Sequence, residues 1–158
     1  MSKRIEDLEP ITRGMCAQFL ADSAAAGIPV RLTHTQREMD EQAHLYAKGR
    51  TIAGEPCTHG KTQRPVGTCK VHPLGATVTR AGPGDSPHNF GCGFDICFEG
   101  PVPYPPVDDP RWEQLGRLGD GLGLSWGGPL GEADRFTFDR PHFERRDWKT
   151  VRSATTGG

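Results

Sequence analysis

The chain has 158 residues, enough for one domain that buries roughly two-thirds of the surface its unfolded form exposes. Its 19 basic and 20 acidic side chains leave a net charge of −1, which argues against a charge-driven partner such as nucleic acid or an anionic membrane. With 21 glycines and 14 prolines, a fold rich in loops and turns is expected.

Residues Ile5 to Ala26 read as an amphipathic helix, with Leu8, Ile11, Met15, Phe19 and Leu20 at helical spacing and Gly27 as the stop. Ile28 to Thr33 is a short β-type run. A second helix is predicted over Asp40 to Lys48, closed by Gly49. Thr51 to Gly75 is rich in Gly, Pro, Thr and His without periodicity and reads as an inserted loop. Ala76 to Thr79 is a candidate strand before the turn at Gly82-Pro83-Gly84. From Gly93 the chain alternates, with Phe94, Ile96 and Phe98 on one face of a strand and Gly93, Asp95 and Cys97 on the other. Pro101 to Pro110 is a stiff connector. A helix then runs from Pro110 to Leu118, with Asp109 as N-cap and proline at the first helical position. Leu122 to Trp126 and Phe136 to Glu144 are the closing strands. The expected organisation is one catalytic domain over residues 1–149 with the insert at 51–75, followed by a frayed tail over 150–158.

No apolar stretch follows the first charged residues, and no run reaches the length of a membrane span. Synthesis in the cytoplasm without a signal peptide is therefore expected. The five cysteines are an odd number, which favours reduced thiols over a fully paired secreted framework. Cys16, Cys92 and Cys97 read as small buried packing residues.

Chemistry concentrates in two segments. Ser86 to Asp95 contains a His-x6-Asp pair, His88 and Asp95, and Asp139-Arg140-Pro141-His142 contains an Asp-x2-His pair. A lone histidine is most often an ordinary hydrogen-bonded residue, but two such pairs supply two imidazoles and a carboxylate for a metal. Three ligands and an open position characterise a catalytic zinc site rather than a structural one. Zinc in such a site lowers the pKa of water from about 15.7 to about 7. The remaining carboxylate, Asp139, is then the candidate base that moves a proton from that water to a leaving amine.

These residues resemble the zinc metallopeptidase family that holds D-alanyl-D-alanine carboxypeptidases and dipeptidases and the L-alanyl-D-glutamate peptidases of phage endolysins. The likeness covers nearly the whole chain. The motif S-x-H-x-x-G-x-x-x-D stands as Ser86 to Asp95 and D-x-P-H-F as Asp139 to Phe143. Leu-x-Trp-Gly-Gly stands as Leu124 to Gly128, and a further element as Arg37, Gln42, Leu45-Tyr46 and Gly49-Arg50. The resemblance implies an α+β fold of the D-Ala-D-Ala carboxypeptidase/hedgehog-like kind, a small antiparallel sheet carrying the site with helices beside it. It implies His88, Asp95 and His142 as zinc ligands and Asp139 as catalytic base. Arg37 is either a cation that stabilises an oxyanion or a solvated arginine at a helix start. Ser86 either bonds substrate or a ligand's surroundings, or simply makes the turn before Pro87. Trp126 is expected on the cleft wall.

The insert departs from many family members. It carries Cys57-x-His59 and Cys69-x2-His72, which make either a second, structural zinc site, a Cys57–Cys69 disulfide, or two free thiols. The implied activity is hydrolysis of the bacterial peptidoglycan stem peptide by a monomer, at the L-alanyl-D-glutamate bond, in a phage lysis role after release from the cell interior. A D-alanyl-D-alanine carboxypeptidase or dipeptidase, and a non-catalytic metal-stabilised wall-binding module, are the alternatives.

Overall fold

The computed structural model describes residues 1–58, 60, 63–129 and 139–157. Among these, α1 (Pro10–Ala25), α2 (Met39–Ala47), α3 (Pro110–Gly121) and α4 (Trp148–Thr156) accompany β1 (Val30–His34), β2 (Gly93–Phe98), β3 (Leu124–Trp126) and β4 (His142–Arg145). The strands form one antiparallel sheet in the order β1-β2-β4-β3. The expected α+β class with a small antiparallel sheet is what the chain adopts.

The alternation of β2 decides which face does what. Phe94 pairs with Phe143 of β4, which pairs with Trp126 of β3, and all three side chains enter the core. Asp95 pairs with His142 on the opposite face. The core face is closed by α1 and α3. Phe19 of α1 lies 4.6 Å from the Phe143 ring and 5.7 Å from Phe94. Trp112 of α3 meets Phe98 edge-on at 4.7 Å. Each fully buried phenylalanine contributes about 1.5–3 kcal/mol, so this cluster is the main support beneath the site.

Helix α1 starts later than its apolar spacing suggests. Ile5–Asp7 is a separate 3₁₀ turn, and Glu9 caps α1 by accepting from the Ile11 and Thr12 amides, with Pro10 at the first position. The buried face is Thr12, Cys16, Phe19 and Ser23, where the Phe19 ring enters the core between smaller neighbours, whereas Ile11 is 53 % exposed. Helix α3 uses the expected Asp109 cap but continues to Gly121.

Two other expectations change. Ala76 makes only an isolated bridge to Glu55, and no strand forms over Ala76 to Thr79. The tail is helical, because Trp148 anchors α4 by stacking on Phe90 at 6.3 Å. Residues 136–138 of the last predicted strand lie outside the described residues, and β4 begins at His142. The insert has no α-helix or strand among its described residues, and its pairing is limited to the isolated bridges Lys48–Ile52, Glu55–Ala76 and Cys57–Arg64. Among the described residues, no helix is long and apolar enough to cross a membrane.

Candidate metal centre

Pairing register brings Asp95 opposite His142 on one side and, across a bulge after Leu32, opposite His34 on the other. His88 arrives from a 3₁₀ turn, Pro87–Phe90, that Ser86 starts by accepting from the His88 amide. Gly93 leaves room there, since a Cβ would stand 3.2 Å from both the His142 ring and Pro87.

Three donor atoms converge. His88 Nε2 lies 3.2 Å from His142 Nδ1 and 3.3 Å from Asp95 Oδ1, and His142 Nδ1 lies 2.9 Å from Asp95 Oδ1. A tetrahedral zinc with ligands at about 2.0–2.1 Å separates its donors by roughly 3.3–3.4 Å. The triangle therefore fits one cation with small adjustments.

The imidazoles are oriented from behind. His88 Nδ1–H donates to the Thr35 carbonyl at 2.6 Å, which leaves Nε2 as the bare nitrogen facing Asp95. His142 Nε2–H donates to Glu144 Oε2 at 3.1 Å, which turns Nδ1 toward the same point. Glu144 is itself held by the Trp148 indole N–H at 3.1 Å.

Burial alone would raise the Asp95 pKa, but hydrogen bonds from His142, His34 and His88 hold it far below the usual carboxylate range. Burial alone would lower that of His142, yet Asp95 and Glu144 lift it to about 10.

Asp139 lines the same open cleft, of about 1430 Å³, as the three candidate ligands and Arg37. Burial pushes its carboxyl pKa up, the direction that suits a base working near neutral pH. The backbone around it is fixed. The Gly127 amide donates to His142 O and the Asp139 amide donates to Gly127 O. A Cβ on Gly127 would stand 2.2 Å from the Asp139 carbonyl oxygen, so only glycine allows that approach.

Trp126, expected on the cleft wall, does not line the cleft. It is 8 % exposed, belongs to the core and packs against Gly116 and Gly128. Its indole donates to the Arg140 carbonyl at 2.7 Å, bracing the turn between Asp139 and His142. Ser86 lines the cleft and is buried as a cap.

Arg37 is half-buried. Its Nη1 donates to Gln42 Oε1 at 2.7 Å, its backbone clamps the His88 turn, and Nε is buried without a hydrogen-bond partner among the described residues. Burial lowers its pKa while Asp95 opposes the shift. Gln42, fully buried, passes the bond on to the Ala81 carbonyl, and Arg50 reaches the Thr79 carbonyl from over the Tyr46 ring. The motif residues on α2 and just beyond its ends thus anchor one cleft wall.

His34 and Glu144 were not foreseen. The H-x-E spacing of His142 and Glu144 places both on one strand face, a signal that period-2 reading offers. His34 was hidden by the bulge, which no pattern announces. In the insert, Cys57, Cys69 and His72 come together, while His59 lies outside the described residues.

The chain has the fold of VanY-like carboxypeptidases, and its cleft carries a candidate metal centre. No protein-family model matches the chain. It is 29 % identical over 147 residues to the peptidoglycan L-alanyl-D-glutamate endopeptidase CwlK of Bacillus subtilis, covering 87 % of this chain and 73 % of that protein. Solved structures share its fold. A variant of the vancomycin-resistance D,D-pentapeptidase VanY in complex with Zn(II) superposes with a TM-score of 0.60 at 15 % identity, covering 95 % of this chain and 79 % of the other. The Serratia marcescens L-Ala D-Glu endopeptidase ChiX gives 0.54 at 16 % identity, covering 91 % and 86 %. VanYB in complex with D-alanine-D-alanine gives 0.61 at 14 % identity, covering 96 % and 78 %.

Proposed function

We propose that this chain is a zinc-dependent peptidase that hydrolyses the peptidoglycan stem peptide at the L-alanyl-D-glutamate bond. The observation that carries the reading is the His88–Asp95–His142 triangle in a cleft that also holds Asp139. The likeness to CwlK supports the bond chosen. Zinc held by the three ligands would supply Lewis acidity, polarising a carbonyl and acidifying water.

The chain's own residues do the rest. Asp139 takes a proton from the attacking water and delivers it to the amine that leaves, so the carboxylate returns to its starting state. Arg37, fixed by Gln42 and the His88 turn, presents a preorganised positive charge at the same cleft, where negative charge develops on the scissile carbonyl oxygen. The two imidazoles stay put because each is pinned through its far side, and His34 holds the other oxygen of Asp95. We assign the enzyme a lytic role like that of phage endolysins, on the strength of the shared motifs.

A second reading, a D-alanyl-D-alanine carboxypeptidase, is favoured by the fold shared with VanYB. Mass spectrometry of muropeptides incubated with the purified chain separates the two. New N-terminal D-glutamate is expected, with none from Asp139→Asn. Released D-alanine would establish the second reading, and no product from a zinc-loaded chain would end both.

A further inference from the structure

The insert inverts the usual rule of burial. Its apolar residues Ile52, Val66, Val71 and Leu74 are 37 %, 36 %, 60 % and 36 % exposed. Among the described residues from Thr51 to Leu74, the buried side chains are two thiols, Cys57 and Cys69, each 2 % exposed. A stretch this long with no apolar centre and almost no ladder has little to offset the entropy of ordering it. Something other than apolar packing gathers the two sulfurs inward.

What they gather around is a third donor. Cys69 Sγ lies 4.0 Å from His72 Nδ1, and ligand atoms of Cys57, Cys69 and His72 all lie within 4.8 Å of one another. Sulfur and nitrogen donors around a tetrahedral zinc stand roughly 3.5–3.8 Å apart. The His72 amide donates to Cys69 Sγ at 3.4 Å, folding the Cys-x2-His turn back onto its own sulfur. All five cysteines are free thiols. None of the three donors lines the catalytic cleft.

We propose that Cys57, Cys69 and His72 bind a second zinc ion, a structural one that staples the insert. The staple has a position that matters. The insert leads through the Glu55–Ala76 bridge directly into residues 77–81, the cleft wall that Gln42 and Arg50 tether to α2. The ion fixes the approach to that wall rather than taking part in hydrolysis.

The test uses the full chain, purified under reducing conditions and loaded with zinc or cobalt(II). Two zinc ions per chain are expected, falling to one in Cys57→Ser/Cys69→Ser. Cobalt in the wild-type chain should give an intense near-ultraviolet sulfur-to-metal charge-transfer band, absent from the double variant and kept in His88→Ala. The catalytic triangle contains no sulfur, so this band reports on the insert whatever the enzyme's activity proves to be. One zinc in both proteins, or no charge-transfer band with wild type, would overturn the proposal. So would two fewer reactive thiols than the five of the sequence in denaturant without reductant, the mark of a Cys57–Cys69 disulfide. Because the cobalt spectrum is taken on the wild-type chain, misfolding of the double variant does not blunt the test.

Discussion

Replacing Glu144 by glutamine probes how the metal centre is held, because it changes nothing that touches the cation. Both carboxylate oxygens of Glu144 accept. Oε2 takes the His142 Nε2–H at 3.1 Å, and Oε1 takes the Trp148 indole N–H at 3.1 Å. Glutamine has one acceptor oxygen and one amide group that only donates. If its oxygen faces His142, the amide confronts the indole. If it turns round, His142 loses its anchor. Either way one buried donor goes unpaired, at about 1–3 kcal/mol, and the charge that makes His142 a stronger ligand is gone. Loss of such a partner lowers metal affinity by about 10–100-fold, or about 1.4–2.8 kcal/mol. Zinc should therefore be lost at lower chelator concentration in Glu144→Gln, read as the competition step that His88→Ala abolishes. His88 is an internal reference, since its orienting partner is a backbone carbonyl that substitution leaves in place. Unchanged affinity at that step in Glu144→Gln would show that Glu144 does not position His142.

Asp139→Asn should retain its catalytic zinc and lose about 10²–10⁴-fold in kcat/KM. In the wild type, burial raises the Asp139 pKa, so the acid limb of the kcat/KM profile should lie above the ordinary aspartate range; a limb within that range would contradict the assignment. Gly127→Ala should cost roughly 10²-fold in kcat/KM, because a methyl 2.2 Å from the Asp139 carbonyl must displace that loop, and wild-type kinetics in this variant would refute it. Glu9→Ala should lower stability by about 1–2 kcal/mol, a melting shift of about 2–8 °C. Burial opposes the lowered Glu9 pKa, but the Thr12 and Ile11 amides and Arg145 prevail. Its contribution is therefore present above about pH 4.5 and fades as pH falls, and calorimetry at two pH values should show the wild-type advantage shrinking in acid.

The parts of the fold that were legible were those where one local rule dominates. Strict alternation in β2 placed Asp95 on the face opposite Phe94 and Ile96, and the Asp109-Pro110 start of α3 was a complete capping signal. The metal triangle was legible through two short motifs, although their meeting depends on β2–β4 pairing that no single segment reveals. Ala76 to Thr79 failed as a strand because backbone pairing stops at the Ala76–Glu55 bridge and Arg50 takes the Thr79 carbonyl, where a ladder partner would stand. Helix α4 was missed because its polar sequence carries one anchor, Trp148, whose partners Phe90 and Glu144 are remote or unrecognised. Trp126 was misplaced because a tryptophan beside two glycines reads as a cleft feature, and only the packing against Gly116 shows it turned inward.

The distance in sequence between the ligands has its own consequence. Asp95 and His142 are 47 residues apart, and His88 and His142 are 54 apart. A cation joining them acts as a reversible cross-link over most of the second half of the chain. Bound only by the folded form, it raises stability with the logarithm of free zinc concentration. With zinc held there as proposed, the melting temperature would be a gauge of the zinc around the protein, and the ion that arms the cleft would also set how long the molecule survives where zinc is scarce.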